Sequence, residues 1–254
     1  MRGTIDLNCD MGEGFGLYKL GDDEELVKYI TSANIACGFH AGDPDWMQET
    51  VRLAEEHGVA IGAHPGFADL KGFGRRDMDL SPQEVRNALV YQIGALTAFT
   101  RGKTLQHVKP HGAMYNMATE DGELAKSICQ AILDVNAELI LVALSGTHWV
   151  DVAKDMGIRV AREAFIDRAM NPDGTLVPRS NPGSIIYDVE EVVRRGVKIV
   201  TEGKVTTTTG EEVDVYADTL CIHGDNPGSV GIVTALRTEL EAIGVKILPV
   251  GDLV

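Results

Sequence analysis

The sequence predicts an α/β fold of the parallel (β/α)-barrel class with about seven strands. Seven short apolar runs alternate with seven helix-like segments along the 254 residues, and repeated strand–helix units form parallel sheets. Seven such units in a chain of this length favour a closed barrel, with a doubly wound open sheet as the alternative. Because no internal repeat or linker interrupts the alternation, we expect one barrel domain over residues 1–254.

The predicted strands are short, apolar or alternating runs, and the predicted helices are the longer periodic segments between them. The strands cover Thr4–Cys9, Asn34–Cys37, Val59–His64, Thr104–Lys109, Leu139–Leu144, Ile158–Phe165 and Thr219–His223. The helices cover Asp22–Thr31, Pro44–His57, Ser81–Arg101, Asp121–Asn136, Thr147–Met156, Val189–Val200 and Ser229–Ile243.

Several of these boundaries carry local signals. Ser81, Pro82 and Glu84 match a helix N-cap, a first-turn proline and a capping-box glutamate. The segment Lys204–Val215, with Gly210 near its centre, predicts a β-hairpin excursion before the last strand.

Composition and charge exclude several classes of function. Lys and Arg total 23 against 38 Asp and Glu, and the net charge of −15 argues against nucleic acid or an anionic membrane as the main partner. The longest apolar runs, such as Leu139–Leu144, are too short to cross a bilayer, and the N-terminus lacks the apolar run of a signal peptide. Four cysteines without a C-x-x-C pair fit a reduced compartment, so we expect a cytoplasmic protein.

Strand parity predicts a polar pocket inside the barrel. Alternate residues of a strand face opposite sides, so Asp6, Asn8 and Asp10 point inward while their apolar neighbours face the helices. The same reasoning applies to the later strands, where further polar residues either face inward or follow directly after the strand end. They are Asn34, His40, His64, His107, Lys109, His111, Glu163, Asp167, Arg168, Cys221, His223 and Asp225. Because so many ionisable groups are costly to bury, and barrel active sites lie at the C-terminal strand ends, this set predicts a functional pocket.

A glycine-rich turn, residues 12–16, follows the first strand and contains Glu13. Such a turn lets backbone N–H groups approach a ligand. It lacks the G-x-G-x-x-G spacing, however, and no G-x-x-x-x-G-K-[ST] motif occurs elsewhere in the chain. The chain therefore shows no phosphate loop of its own.

A metal centre and a metal-free acid–base site both remain open on these residues. Asp10, His40, His64, His111 and His223 are of the types that bind divalent metals. No local signature such as H-E-x-x-H accompanies them.

The positions of some cysteines and histidines argue against a catalytic role for them. Cys9 and Cys37 face the helices, and Cys221 alone among the strand cysteines faces inward, which disfavours cysteine catalysis. His57 ends a predicted helix and His148 begins one, so both should lie away from the pocket.

Seven segments of the chain resemble the signature motifs of the LamB/YcsF family, in order and over nearly the whole length. They are residues 6–13, 34–43, 63–66, 72–76, 108–113, 163–168 and 221–225. Departures at Met114, Met170 and Ser184 leave the polar positions unchanged.

The resemblance implies a barrel of the glycoside hydrolase/deacetylase type, with seven strands. It also implies the ATP-dependent opening of the lactam 5-oxo-L-proline (pyroglutamate) to L-glutamate, together with two partner subunits, B and C. ATP is then a co-substrate handled wholly or partly by the partners, and a divalent metal is an open alternative. The alternatives are a metal-dependent deacetylase-type amidohydrolase that acts alone, and a non-catalytic lactam-binding subunit.

The residues and the resemblance together give a candidate site. The candidate catalytic residues are Asp10, Glu13, His40, His64, Lys109, His111, His223 and Asp225, and the candidate substrate-binding residues are Asn8, Arg75, Arg76, Glu163 and Arg168. We expect Asp10 to be a general base or metal ligand supported by Glu13. Lys109, with Asp10 or Glu163 as counter-charge, is expected to polarise the lactam carbonyl or stabilise the oxyanion.

The carboxylate of the substrate needs a cationic partner. Arg75, Arg76, Arg168 and Arg179 lie in predicted loops and could grip it in a bidentate manner. A surface salt bridge is the alternative for each of them.

Overall fold

The computed structural model describes residues 3–224, 226 and 228–254, and its strands confirm the parallel barrel. The strands are β1 (Thr4–Met11), β2 (Ser32–Ala36), β3 (Ala60–His64), β4 (His107–Val108), β5 (Ile140–Leu144), β6 (Val160–Phe165), β7 (Lys204–Thr206), β8 (Glu212–Asp214), β9 (Thr219–His223) and β10 (Lys246–Ile247). Within the described residues, β1 to β6 and β9 pair in parallel in that order, and β9 closes the barrel against β1.

The helices surround the barrel. They are α1 (Asp23–Leu26), α2 (Pro44–His57), α3 (Pro82–Phe99), α4 (Gly112–Ala118), α5 (Gly122–Val135), α6 (His148–Asp155), α7 (Val189–Glu202) and α8 (Ser229–Ala242), followed by a 3₁₀ turn at Val250–Asp252. Ser81 and Glu84 form the predicted capping box of α3. The hairpin β7–β8 is antiparallel and precedes the last barrel strand, as predicted. Among the described helices, none has the length and apolarity needed to cross a membrane.

The register of the strands brings polar residues to one end of the barrel. Asp10 of β1 lies opposite His223 of β9, and Asn8 lies opposite Cys221. Ala36 of β2 pairs with His64 of β3, so that His64 ends its strand at the same level. The C-terminal ends of the strands therefore form one polar face.

The main apolar core lies between the barrel and the helices, as strand parity predicted. Ile5, Leu7 and Cys9 are fully buried in this core. Asp6 and Asn8, on the opposite side of the same strand, are equally buried but bond to polar groups inside the barrel. The interior of the barrel is thus a hydrogen-bonded network rather than a second apolar core.

Two predicted elements are shorter in the structure, because tertiary contacts override local propensity. The predicted helix Asp22–Thr31 is a single turn, α1, since the Thr31 N–H already donates to the Leu7 carbonyl at 2.9 Å. The fourth strand has two residues, although the Lys109 N–H continues its ladder to the Ala63 carbonyl at 2.9 Å.

Two further elements had no sequence signal strong enough to predict them. The short helix α4 begins directly after His111. The strand β10 pairs with Thr4 and Ile5 of β1, ahead of the residues that β2 contacts. Both elements depend on contacts with distant parts of the chain.

Candidate active site

A cavity of about 650 Å³ opens at the C-terminal end of the barrel. Its floor is made by residues that end the strands, and its walls by the loops that follow them. The charged and imidazole-bearing residues that line it include Asp10, Glu13, His64, Arg75, Lys109, His111, Arg168, Arg179 and His223. This position is where parallel barrels carry their active sites.

Lys109 lies at the floor of the cavity between two carboxylates. Its Nζ is 2.9 Å from Asp10 Oδ1 and 2.9 Å from Glu163 Oε1, and the Cys221 Sγ lies at 3.0 Å. Burial disfavours the ammonium, but Asp10, Cys221 and Glu163 outweigh it, and the pKa of Lys109 is raised well above its ordinary value. The lysine is therefore charged, and its donors are already engaged.

Asp10 is the carboxylate that reaches the cavity. Burial alone would raise its pKa, but His64, in its protonated form, and Lys109 hold the pKa of Asp10 well below its ordinary value. Its Oδ1 also accepts from Asn34 Nδ2 at 2.9 Å, whereas its Oδ2 faces His64 Nε2 at 3.4 Å. Asp10 is thus an ionised carboxylate with a fixed orientation.

A layer of amide and carboxylate groups supports this floor from below. Asn8 donates through Nδ2 to Glu163 Oε1 at 3.1 Å and accepts from Asn34 at 2.7 Å. His107 Nε2 lies 2.8 Å from Asn34 Oδ1. Asn8 and Glu163, proposed from the sequence as substrate-binding residues, are not among the side chains that line the cavity. Both contact the ammonium of Lys109.

Three imidazoles and Glu13 form a buried group beside Asp10. Glu13 Oε1 is 3.3 Å from His40 Nε2 and 3.5 Å from His111 Nδ1, and His111 Nδ1 is 2.9 Å from His64 Nε2. The rings of His40 and His111 stack at 3.7 Å with an angle of 2°. Burial and the neighbouring imidazoles lower the pKa of His40 and of His111 well below the ordinary value.

His223 forms a pair with a buried carboxylate on the other side of Asp10. Its Nδ1 lies 2.9 Å from both oxygens of Asp167. Burial opposes the charge of Asp167, but His223 keeps the pKa of Asp167 below its ordinary value. This arrangement fixes the ring of a potential proton carrier at the cavity wall. Asp225, the remaining candidate of this strand end, lies outside the described residues.

Three of the four predicted arginines line the cavity: Arg75, Arg168 and Arg179. Arg168 is buried and donates to the carbonyls of Ser184 and Val177 at 3.2 and 2.6 Å. Burial, with Arg179 nearby, lowers the pKa of Arg168 to about 10. Arg76 instead forms an ion pair with Asp69, and it is not among the lining residues.

Tyr115 is a cavity residue that the sequence reasoning missed. It lies on α4, and its hydroxyl donates to Glu163 Oε2 at 2.7 Å. Its spacing of one helical turn from His111 is a signal that could have identified it, once a helix is placed there.

The described residues contain two groups of buried side chains with donor atoms close enough to share a cation. Glu13, His40, His64 and His111 form one, and Asp10, Cys221 and His223 the other, each within 4.8 Å. The ammonium of Lys109 already lies 2.9 Å from Asp10 and 3.0 Å from Cys221, within the second group. The second group therefore already has a cation of its own.

The histidines placed outside the pocket by the sequence lie elsewhere. His57 ends α2, where its Nδ1 lies 2.9 Å from the Leu53 carbonyl. His148 is the exposed first residue of α6. Cys9 and Cys37 are buried among apolar side chains of the core.

Comparisons with known proteins agree over almost the whole chain. The model of the LamB/YcsF family matches residues 5–254. The A subunit of the 5-oxoprolinase of Pyrococcus furiosus is 54% identical over 252 residues, which are 98% of this chain and 99% of that protein. The crystal structure of the lactam utilization protein from Thermus thermophilus superposes with a TM-score of 0.91 at 50% identity, covering 96% and 99% of the two chains. A T48 deacetylase shares the fold alone, with a TM-score of 0.52 at 13% identity, covering 99% and 90%.

Proposed function

Since the chain belongs to the LamB/YcsF family, we propose that it is the A subunit of a 5-oxoprolinase, which opens 5-oxo-L-proline to L-glutamate. The identity of 54% to such an A subunit extends over both chains almost entirely. The observation within the molecule that carries the proposal is the ionised Asp10 beside a buried lysine, at the floor of a cavity walled by imidazoles and arginines.

The floor of the cavity suits the hydrolysis of an amide. Asp10 is ionised and presents Oδ2 toward the cavity side, where it would accept a proton from the attacking water. Lys109 keeps Asp10 ionised, and by exchanging one of its contacts it would bind the oxyanion that forms at the lactam carbon. His223, oriented by Asp167, would deliver a proton to the departing ring nitrogen.

The arginines of the cavity suit the carboxylate of the substrate. 5-Oxo-L-proline carries one carboxylate, and a guanidinium binds such a group in a bidentate manner. Arg75, Arg168 and Arg179 lie on the wall that faces this floor, and we assign the carboxylate to them rather than to Arg76.

ATP is proposed to act through the partner subunits. A five-membered lactam is a resonance-stabilised amide with a poor leaving group, and phosphorylation of its oxygen by ATP would make the carbon electrophilic. Water would then add to this carbon and the ring nitrogen would leave as the amine. Hydrolysis of the resulting acyl phosphate would give glutamate and inorganic phosphate. Because the sequence carries no phosphate loop, we place this activation on subunits B and C. The relatives are each named as one subunit of 5-oxoprolinase, which supports a multisubunit enzyme.

An exposed apolar turn, which follows the cavity residue Glu13 in the chain, offers a contact for those partners. Phe15 and Tyr18 bond to each other through their backbones at 2.9 Å, in the turn that follows Glu13. Leu17 and Tyr18 at its tip are 101% and 82% exposed. Large apolar side chains held in water at this position are typical of an interaction surface.

A reducing compartment is the proposed location. All four cysteines are free and buried in the structure, which fits a cytoplasmic protein.

The test is a reconstitution that varies one component at a time. Glutamate release from 5-oxo-L-proline is measured with this chain alone and with its partner subunits, each with and without ATP and a chelator. We expect release only when all subunits and ATP are present, and a loss of roughly 10²–10⁴-fold for Asp10→Asn. Release by the chain alone without ATP would establish the amidohydrolase alternative. Full activity of Asp10→Asn would support a subunit that binds the lactam without catalysing its opening.

A further inference from the structure

Two buried imidazoles in the cavity wall present lone pairs to each other. His64 Nδ1 lies 2.6 Å from the carbonyl oxygen of Lys109, and His111 Nε2 lies 2.9 Å from the carbonyl oxygen of Phe73. A carbonyl oxygen only accepts, so both of these nitrogens carry the ring proton. In the neutral rings, the opposite nitrogens, His64 Nε2 and His111 Nδ1, then both carry lone pairs, although they are 2.9 Å apart.

Two carboxylates surround the same point. Asp10 Oδ2 lies 3.4 Å from His64 Nε2, and Glu13 Oε1 lies 3.5 Å from His111 Nδ1 and 4.0 Å from His64 Nε2. All four side chains are buried. Four buried electron-pair donors that face one another repel unless a cation lies between them.

We propose that this point binds a divalent metal ion of the zinc class, held by His64 Nε2, His111 Nδ1 and Glu13, with Asp10 beside the ion. Four ligands at about 2.0–2.1 Å from a tetrahedral ion lie roughly 3.3–3.4 Å from one another. The three separations between His64 Nε2, His111 Nδ1 and Glu13 Oε1 run from 2.9 to 4.0 Å and bracket that value. The two backbone carbonyls are the outer hydrogen-bond partners that histidine ligands commonly have.

A shared proton is the other cation that could lie between the imidazoles. The burial of His111 and its contacts with two further imidazoles oppose a positive charge on that ring. The two neighbouring carboxylates carry two negative charges, which a divalent ion offsets and a single proton does not. Both observations favour the metal.

His40 belongs to this group without being a ligand. Because its ring stacks on His111 at 3.7 Å with an angle of 2°, an ion in the plane of one ring lies far from the plane of the other. Its Nε2 lies 3.3 Å from Glu13 Oε1 and would donate to that carboxylate. His40 is therefore assigned as a positioning residue for Glu13.

The metal site stands on this geometry, whereas its use in lactam opening rests on the proposed function. A bound ion beside Asp10 would supply Lewis-acid polarisation of an amide oxygen or lower the pKa of water.

The test is metal binding by the full chain, purified without a polyhistidine tag and stripped with a chelator. Calorimetric titration with Zn²⁺ and Mn²⁺, with elemental analysis after dialysis, should show one ion per chain. His111→Gln and Glu13→Gln should weaken binding at least tenfold while circular dichroism stays unchanged. His57→Gln and His148→Gln are the matched controls and should bind as the parent chain does.

Binding of less than about a tenth of an equivalent by the folded parent chain would overturn the proposal. Unchanged affinity in both His111→Gln and Glu13→Gln would overturn it as well. Because binding is measured without substrate, partners or ATP, this result is independent of whether the chain acts on 5-oxo-L-proline. Glutamate release by the reconstituted enzyme, stripped and then reloaded, tests the catalytic use separately.

Discussion

At the scale of single residues, the interior of the barrel is a set of charges that depend on one another. Lys109 is 2% exposed, and Asp10 and Glu163 both contact its ammonium at 2.9 Å. The lysine therefore neutralises the two carboxylates at the floor of the cavity. It also lies where it can contact a bound ligand. Its two roles can be separated by experiment.

Removing the ammonium should affect both stability and turnover. Lys109→Met leaves two buried carboxylates unpaired, and breaking such a buried pair typically costs about 3–5 kcal/mol. The loss of one preorganised donor typically lowers kcat by roughly 10²–10³-fold. Urea unfolding of the chain and kcat of the reconstituted enzyme are the measurements.

The double variant Lys109→Met with Glu163→Gln distinguishes the two roles. Neutralising Glu163 removes one of the unpaired charges, so stability should partly recover while kcat stays low. An unchanged kcat in Lys109→Met would leave the lysine with a structural role alone.

Asp6 makes the stability of the fold depend on pH. It is fully buried and accepts from the hydroxyls of Thr31 and Ser32 at 2.7 Å, and burial raises its pKa from 3.8 to about 6. Between these values the folded chain binds more protons than the unfolded chain. The free energy of unfolding therefore falls as pH rises through this window, by on the order of 3 kcal/mol for this group.

The variant Asp6→Asn should remove that part of the pH dependence. The difference in unfolding free energy between Asp6→Asn and the parent should grow in favour of the variant from pH 4 to pH 7, as measured by urea unfolding. Asp155→Asn changes an exposed carboxyl on α6 and serves as the control. A difference that is constant over this range would contradict the assignment.

At the scale of elements, close packing between strands holds the carboxylate of Asp10 in place. Gly62 of β3 faces His107 of β4, and a Cβ at Gly62 would lie 2.1 Å from His107 Nε2. His107 bonds to Asn34, and Asn34 in turn bonds to Asp10. A methyl group added at Gly62 on β3 would thus change the orientation of Asp10 on β1, through His107 and Asn34.

Gly62→Ala should therefore lower both stability and kcat. Overpacking of this kind typically costs about 1–3 kcal/mol, and a displaced His107 should release Asn34 from its bond to Asp10. Adding His107→Ala makes room for the new methyl group and should recover stability but not activity. Gly94→Ala on α3, where a Cβ meets no atom within 4 Å, should be neutral or stabilising. Equal melting temperatures for Gly62→Ala and Gly94→Ala would refute this account.

At the scale of the whole molecule, the turn that follows β1 and the cavity residue Glu13 exposes large apolar side chains to solvent. Leu17→Asp should weaken the association with the partner subunits at least tenfold and leave the melting temperature of the chain unchanged. The measurement is affinity by calorimetry or co-elution of the purified subunits. Ile243→Asp changes a side chain 39% exposed at the end of α8 and is the control. Equal affinities for the two variants would exclude the turn from the interface.

The parts of this molecule that are predictable from sequence are those governed by local periodicity. The alternation along β1 is enough to place Asp6, Asn8 and Asp10 inside the barrel, since side-chain direction in a strand has a period of two. The family resemblance extends this reasoning to the whole chain, and the match over residues 5–254 agrees with it.

The parts that local patterns do not predict are set by long-range contacts. Arg75 and Arg76 are adjacent in a loop, and only the fold shows that Arg75 lines the cavity while Arg76 pairs with Asp69. The stacking of His40 on His111 likewise joins two loops distant in sequence. Loop conformation lacks a repeating pattern, so neither fact has a signature in the sequence.

The barrel can close only after its last strand has been synthesised. β9 bonds to β6 on one side and to β1 on the other, so a ribosome must finish residues 219–223 before the first strand gains this neighbour. Until then β1 and β6 both present open edges, which are prone to pair with other chains. A transcript truncated before this strand would yield a polypeptide with Asp10 but without His223, and therefore a substrate for chaperones and proteases rather than a weakened enzyme.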